Sequence, residues 1–267
     1  MEKYQKQAKE IRRNIIKMVA KAKAAHLGSA LSVVDILTVL YFEILKFKPK
    51  QPNWSERDHL ILSKGHAAAA LYATLVQKGI APRNCLKNYY ADGSKLAAHP
   101  IIGCLPGVEV STGSLGHGLP IGLGMALADK YDKKLSRTFV ILSEGDCNEG
   151  SNWEAMMMAS QLKLDNLVVI VDYNKIQAMG RTKDIMSLEP FKAKGESFGW
   201  QVKEINGHNH SAIAAVLKTI PFQKNNPSMI IAHTIKGKGV SFMEDSLAWH
   251  YQYPDKEQLK QALKELE

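Results

Sequence analysis

Short, continuously apolar runs alternate along this chain with stretches whose apolar residues recur at helical spacing. Residues 139–142 (Phe-Val-Ile-Leu) and 167–171 (Leu-Val-Val-Ile-Val) contain no polar side chain, which is typical of strands buried on both faces of a parallel sheet. Helical patterns lie between the runs, so we predict an α/β fold, a doubly wound, mostly parallel sheet with helices on both faces. The predicted strands span 59–63, 138–143, 167–172, 200–205 and 229–232.

Helices are predicted near both ends of the chain. Residues 4–25 carry apolar side chains on one face at helical spacing. The pattern restarts at Ser32, which is predicted to cap a second helix because Asp35 follows three residues later and apolar residues continue to Leu45. A further helix, rich in Lys and Glu, is predicted from about Asp255.

We treat residues 1–267 as one domain, since neither an internal repeat nor a flexible linker divides the chain. Residues 85–112 form a long, turn-rich connection, and such a connection in a compact domain is more often functional than idle. In a doubly wound sheet, ligands bind at the carboxyl ends of the strands. Chemistry is therefore expected just after positions 63, 143, 172 and 232.

The composition is that of an ordinary globular chain. With 267 residues, 45% of them hydrophobic, it can bury a sizeable core, which argues against intrinsic disorder. Its 35 basic and 26 acidic side chains give a net charge of +9, which favours an anionic partner such as a phosphorylated small molecule, nucleic acid or an acidic protein. The lysines are dispersed and form no basic arm, so a nucleic-acid partner is not expected.

A cytoplasmic location is predicted. The three cysteines, Cys85, Cys104 and Cys147, form no C-x-x-C pair, and their odd number suits a reducing compartment. The polar amino terminus lacks the apolar stretch of a signal peptide. No apolar run approaches the roughly 18 residues of a membrane helix, so no membrane contact is expected.

Three carboxylates crowd the loop after strand 138–143. Residues 143–154 read Ser-Glu-Gly-Asp-Cys-Asn-Glu-Gly-Ser-Asn-Trp-Glu, in which Ser151 and Glu154 are predicted to form a capping box. A helix start attracts anions, and magnesium would reconcile a diphosphate with nearby carboxylates, because it binds both. Asn174, after the next strand, adds an amide oxygen at the same sheet edge. From these residues alone, a solvated acidic loop is an equally good interpretation, and such an Asn is more often a turn residue.

Nearly the whole chain resembles the amino-terminal, diphosphate-binding domain of transketolases, which depend on thiamine diphosphate and a divalent ion such as Mg²⁺, Ca²⁺ or Mn²⁺. The family signature is Gly-Asp-Gly, with Gln-Glu-Gly or Asn-Glu-Gly close behind and an Asn further on. Anchoring on Asn-Glu-Gly at 148–150 places Glu144 at the metal-binding Asp position, 30 residues before Asn174. The other anchor makes Asp146 the acidic ligand. The resemblance favours Glu144, although it departs from the family's shorter Asp, and adds Asn174 and the Ile176 carbonyl as metal ligands.

Four histidines also match positions of the family. By this resemblance, His26 and His250 are candidates for proton transfer, whereas His66 and His99 position the substrate and stabilise developing charge. The cofactor contacts that the resemblance implies are His66, Gly113, Leu115, Gly145, Asp146, Glu149, Asn174 and His250.

Other residues match less specifically or not at all. Glu149 and Glu154 resemble family glutamates at the contact between subunits. Gly122 and Gly124 are interpreted as helix-packing residues. His59, His208 and His210 have no counterpart in the resemblance and receive no role.

The resemblance implies transfer of a two-carbon ketol unit from a ketose phosphate to an aldose phosphate, as in the pentose phosphate pathway. Full-length transketolases have a second domain that supplies the glutamate needed to activate the cofactor, whereas this sequence ends at Glu267. We therefore expect the amino-terminal subunit of a split transketolase, inactive alone and completed by a carboxyl-terminal subunit, in the form of a heterotetramer.

Two alternatives remain open at the level of sequence. One is half of another thiamine diphosphate enzyme, such as deoxyxylulose-phosphate synthase, a 2-oxoacid dehydrogenase or a transketolase for unusual sugars. The other is a non-catalytic binding protein that retains the fold.

Overall fold

A computed structural model describes residues 2–267 and contains a five-stranded sheet with helices on both faces. All strands are parallel, in the spatial order β1-β2-β3-β5-β4, so the predicted fold class is confirmed. The strands are β1 His59–Leu62, β2 Thr138–Ser143, β3 Leu167–Tyr173, β4 Gln201–Asn206 and β5 Ser228–His233. The helices are α1 Glu2–Ala22, α2 Leu27–Ser32, α3 Val34–Val39, α4 Ala68–Gln77, α5 Gly118–Tyr131, α6 Gly150–Gln161, α7 Thr182–Ile185, α8 Phe191–Ser197, α9 His210–Leu217 and α10 Lys256–Glu265.

Successive side chains of the central strands enter two separate apolar cores. Phe139 and Ile141 of β2 pack in the core that also contains residues of α1 to α4 and α9. Val140 and Leu142, on the opposite face, pack with residues of α5, α6 and α8. Both faces of the strand are therefore apolar, which explains its unbroken hydrophobic run. Within the described residues, none of the helices is both long and apolar enough to span a bilayer.

The predicted cap at Ser32 is wrong. Ser32 ends α2 instead of beginning a helix, and its hydroxyl donates to Asp172 Oδ2 at 2.6 Å. Asp35 lies within α3, where it forms a buried ion pair with Arg12. Both polar side chains are bound by residues distant in sequence, which a local capping pattern does not anticipate.

The predicted capping box at Ser151 is also wrong. Helix α6 begins at Gly150 with Glu149 at its N-cap position, and no side chain caps it. The Ser151 hydroxyl instead donates to the carbonyl of Gly116 at 2.7 Å. Ser151 therefore ties the start of α6 to the loop that precedes α5.

Candidate functional site

A cleft of about 540 Å³ opens at the carboxyl edge of the sheet. This is the edge where doubly wound folds bind ligands, and the volume is within the usual range for ligand pockets. The predicted site residues on its wall are His26, His66, His99, Gly113, Leu115, Glu144, Gly145, Glu149, Asn174, Ile176 and His250. Among the predicted contacts, Asp146 does not line this cleft.

Four histidines from distant parts of the chain meet in the cleft. The ring centroid of His26 lies 5.3 Å from that of His66, 5.9 Å from that of His99 and 5.0 Å from that of His250. The backbone N–H of His26 donates to the carbonyl of His250 at 2.8 Å, which joins the start of α2 to the chain after β5.

The surroundings of these histidines keep their rings neutral. Burial, with the neighbouring His99 ring and the positive charge of Lys236, lowers the pKa of His26 to about 4. Burial and Lys236 lower the pKa of His250 to about 3. Burial likewise lowers the pKa of His66 and of His99. Neutral imidazoles can accept a proton or donate one to a reacting oxygen.

Glu144 presents a buried carboxylate at the end of β2, with 1% of its surface exposed. It accepts hydrogen bonds from the backbone N–H groups of Asn174, at 3.2 Å, and Lys175, and from the hydroxyl of Thr182 at 3.2 Å. A carboxylate has about four lone-pair sites. Glu144 therefore keeps one acceptor position for a cation.

The other two predicted metal ligands also keep an acceptor position. The amide oxygen of Asn174 accepts from the N–H of Ile176 at 3.2 Å, and the carbonyl of Ile176 accepts from Lys236 Nζ at 3.1 Å. Each oxygen has two lone pairs and uses one within residues 2–267. Together with Glu144 they form an all-oxygen set on one cleft wall, which suits a hard cation such as Mg²⁺.

This oxygen set carries little charge of its own. Residues 2–267 hold no group of three His, Cys, Asp or Glu side chains arranged for a metal. Burial, with the neighbouring charge of Asp172, raises the pKa of Glu144 to about 7. A single carboxylate suits magnesium when phosphate oxygens complete its coordination, and the ion would stabilise the charged form of Glu144.

Asp146 lies behind the cleft and is fully bonded within the protein. Its Oδ1 accepts from the hydroxyl of Ser63 at 2.9 Å and the N–H of Gly116 at 3.1 Å. Its Oδ2 accepts from the N–H and hydroxyl of Ser143 at 3.0 and 3.2 Å. All four acceptor positions are used. The geometry therefore favours Glu144 as the acidic ligand. Asp146 instead connects the ends of β1 and β2 to the loop before α5 through hydrogen bonds.

That loop, residues 113–117, is held closely on both sides. Gly113 has φ +155°, and a Cβ at this position would lie 3.1 Å from His99 Cδ2. Gly116 has φ +82°, and its Cβ would lie 2.6 Å from Glu149 Cβ. Only glycine tolerates both the backbone conformation and the close approach.

Sequence reasoning missed Ser29, which contacts His66, and Lys64, which contacts Ser29. The Ser29 hydroxyl lies 2.8 Å from His66 Nε2. Lys64 is fully buried, donates to the carbonyl of Ser29 at 3.0 Å and pairs with Asp172. Although burial alone would raise the pKa of Asp172, Lys64 holds it below its ordinary value.

Lys236 was missed as well, although it lines the cleft beside His250. Its Nζ donates to His250 Nδ1 at 2.9 Å and to the carbonyls of Ile176 and Gln177. Burial, with repulsion from Lys64, lowers the pKa of Lys236 to about 8. No local signal identifies these two lysines, because glycine also follows Lys78, Lys194 and Lys238, none of which is buried.

The fold and the cleft define a class, an α/β domain suited to an anionic cofactor at the carboxyl edge of a parallel sheet. The family model "Transketolase, thiamine diphosphate binding domain" matches residues 3–266. The chain belongs to this family, as the sequence resemblance predicted.

Similar proteins extend the match. An apulose-4-phosphate transketolase subunit from Phocaeicola vulgatus is 43% identical over 260 residues, which cover 97% of this chain and 92% of that protein. The 6-deoxy-6-sulfo-D-fructose transketolase subunit SqwG of a Clostridium species is 41% identical, covering 98% of this chain and 96% of its own length. The crystal structure of Campylobacter jejuni transketolase superposes with a TM-score of 0.94 at 34% identity, and this chain spans 43% of its length.

Proposed function

We propose that this chain is the amino-terminal subunit of a split transketolase. With a separate carboxyl-terminal subunit, it transfers a two-carbon ketol unit from a ketose phosphate to an aldose phosphate. The observation that carries this proposal is the match to relatives named as transketolase subunits over 92% and 96% of their own lengths. The proposed assembly is a cytoplasmic heterotetramer.

The cleft residues fit thiamine diphosphate and a divalent ion. Glu144, Asn174 and the Ile176 carbonyl would hold Mg²⁺, since each keeps an oxygen lone pair on the same wall. The backbone of loop 113–117 and Gly145 would pack against the cofactor, with Glu149 and His66 at the edges of the same cleft. Thiamine diphosphate, when bound, supplies the nucleophilic carbon that the reaction requires.

The four histidines would manage protons at the sugar oxygens. His26 and His250 have neutral rings whose centroids lie 5.0 Å apart. One ring can therefore accept a proton from a sugar oxygen while the other donates a proton to one. His66 is oriented by Ser29, and His99 packs on Gly113, which suits them for positioning substrate and stabilising charge.

A second candidate function differs from the first in the sugar substrate. Two relatives are named for apulose-4-phosphate and for 6-deoxy-6-sulfo-D-fructose. Their names favour an unusual sugar as the substrate over the sugars of the pentose phosphate pathway.

Reconstitution tests the proposal. The purified chain is mixed with the carboxyl-terminal subunit of a split transketolase, thiamine diphosphate and Mg²⁺, and ketol transfer is followed for ordinary and unusual ketose donors. We expect turnover only from the mixture, lowered roughly 10²- to 10⁴-fold by His26→Ala. Turnover by this chain alone, or no turnover from the mixture with any donor, would refute the proposal.

A further inference from the structure

Asp35 forms a buried hub that does not line the cleft. Its carboxylate, 4% exposed, accepts from Arg12 Nη1 and Nη2 at 3.2 and 2.6 Å, from His208 Nδ1 at 2.7 Å and from His210 Nε2 at 2.8 Å. Burial alone would raise the pKa of Asp35, but Arg12 and the two histidines hold it well below its ordinary value. The hub joins α1, α3 and the start of α9.

Two of the groups that Asp35 orients reach the same segment, residues 235–239. Nε2 of His208 accepts from the backbone N–H of Ile235 at 2.8 Å. Nε of Arg12 donates to the carbonyl of Lys238 at 3.0 Å. The segment lies after β5 and outside the sheet. Its backbone is held by these two bonds together with those from Gly237 N–H to the Gly28 carbonyl at 2.9 Å and from Asp245 N–H to the Lys236 carbonyl at 2.8 Å.

Lys236 lies between the two held positions. Its side chain runs into the cleft, where Nζ contacts His250 and the carbonyl of Ile176. The fit is close, because a Cβ at Gly28 would lie 3.0 Å from Lys236 Cγ. A small displacement of the segment would therefore move the Lys236 ammonium relative to the proposed cofactor site.

We propose that Asp35, His208 and Arg12 act as a clamp on residues 235–239 and so position Lys236 in the cleft. His208 is the positioning residue of this clamp, bound to Asp35 through one ring nitrogen and to Ile235 through the other. Because Nε2 accepts a hydrogen bond, His208 carries its proton on Nδ1. The functional importance of the clamp rests on the proposed function, but its existence does not.

His210 provides a matched control. It makes the same kind of bond to Asp35 as His208 does, at nearly the same distance, and it has no hydrogen bond to residues 235–239 in the described structure. His208→Leu and His210→Leu therefore each remove one histidine from the hub, and only the first releases Ile235. His208→Gln places an amide oxygen where Nε2 accepted the hydrogen bond and serves as the rescue variant.

The test measures how fast Lys236 reacts with an amine-acylating reagent in the purified chain, with surface lysines as internal standards and peptide mass spectrometry as the readout. We expect His208→Leu to raise the Lys236 rate about tenfold, and His208→Gln and His210→Leu to leave it within about twofold of wild type. Equal rates in wild type and His208→Leu, or equal increases in both leucine variants, would overturn the clamp.

A second measurement needs no variant. Nitrogen-15 NMR of the labelled histidines should show His208 neutral, with Nδ1 protonated and Nε2 bare. A protonated Nε2 would overturn the proposal even if His208→Leu fails to fold. Neither measurement uses cofactor or sugar, so a failed clamp would leave the proposed function standing, and an inactive reconstituted enzyme would leave the clamp standing.

Discussion

Glu144 and Asp146 are two buried carboxylates only two positions apart, and their hydrogen bonds give them different tasks. Glu144 keeps one acceptor position on the cleft wall, whereas Asp146 uses all of its own on Ser63, Gly116 and Ser143. The sequence pattern could rank the two through its resemblance to a family signature. It could not count the donors around each carboxylate, because most of them, such as Ser63, Gly116 and Thr182, come from parts of the chain distant in sequence.

Substitution of these two carboxylates should separate their tasks. Glu144→Gln removes the charge that would face the proposed cation, so Mg²⁺-dependent binding of thiamine diphosphate should weaken by about 10- to 100-fold. Asp146→Asn leaves buried donors poorly paired and should lower the free energy of unfolding by about 1–3 kcal/mol, with the magnesium dependence retained. Calorimetric titration and urea unfolding measure the two effects. Loss of magnesium dependence in Asp146→Asn alone would reverse the assignment.

The neutral histidines predict how stability varies with pH. The folded-state pKa of His26 is about 4, below its ordinary value of 6.5. Between those values the unfolded chain binds more protons than the folded one, so stability falls as the pH drops through this window. His26→Asn, whose side chain tolerates the left-handed backbone at this position, φ +70°, should reduce that fall. Urea unfolding at pH 7.5, 6 and 5 measures the free energy of unfolding at each pH. An equal loss of that free energy between pH 7.5 and 5 in variant and wild type would contradict the prediction.

At the scale of elements, the strands were predictable and the first helices only partly so. Each predicted strand agrees with the observed one to within one residue at either end. The central strands β2 and β3 are covered on both faces and so require unbroken apolar runs, whereas the edge strand β4 is largely polar. The helix predicted from Ser32 to Leu45 is instead divided between α2, α3 and a π-helical turn at Leu40–Ile44. The bond from Ser32 to Asp172 explains why the local pattern failed there.

Helix α5 contains a matched pair of glycines. A Cβ at Gly122 would lie 2.5 Å from Val140 Cγ2, which confirms the predicted packing role of Gly122. Nothing lies within 4 Å of a Cβ at Gly124, so the packing role predicted for Gly124 is wrong. Gly122→Ala should cost about 1–3 kcal/mol of stability through overpacking. Gly124→Ala should add about 0.5–1 kcal/mol, because alanine loses less backbone freedom on folding. Thermal unfolding of both variants checks this, and a similar loss in each would contradict it.

For the whole molecule, the assembly of the site was the least predictable feature. The resemblance named four histidines, but only the strand order and the connections show that residues from both ends of the chain meet in one cleft. The buried lysines were missed for a related reason. A lysine is usually exposed, and nothing local in the sequence reveals a carboxylate such as Asp172 that is contributed by another strand.

The buried ion pair of Lys64 and Asp172 connects the ends of β1 and β3. We expect the effects of substituting the two residues on the free energy of unfolding to be coupled. Ser32 and Thr234 also donate to Asp172, so α2 and the segment after β5 depend on the same carboxylate. Lys64→Met alone leaves a buried charge and should cost about 3–5 kcal/mol, whereas adding Asp172→Leu should recover part of that loss. A double-mutant cycle by urea unfolding measures the coupling, and strictly additive losses would contradict the prediction.

We propose that a divalent ion binds between the ends of β2 and β3 and holds a diphosphate in the cleft. Crystals of the chain grown with thiamine diphosphate and Mn²⁺ test it directly through anomalous diffraction, because manganese marks its own position. We predict a single strong peak bounded by Glu144, the Asn174 amide oxygen and the Ile176 carbonyl, with diphosphate density beside it. A peak beside Asp146, or cofactor density with no metal between those strand ends, would rule out this metal site.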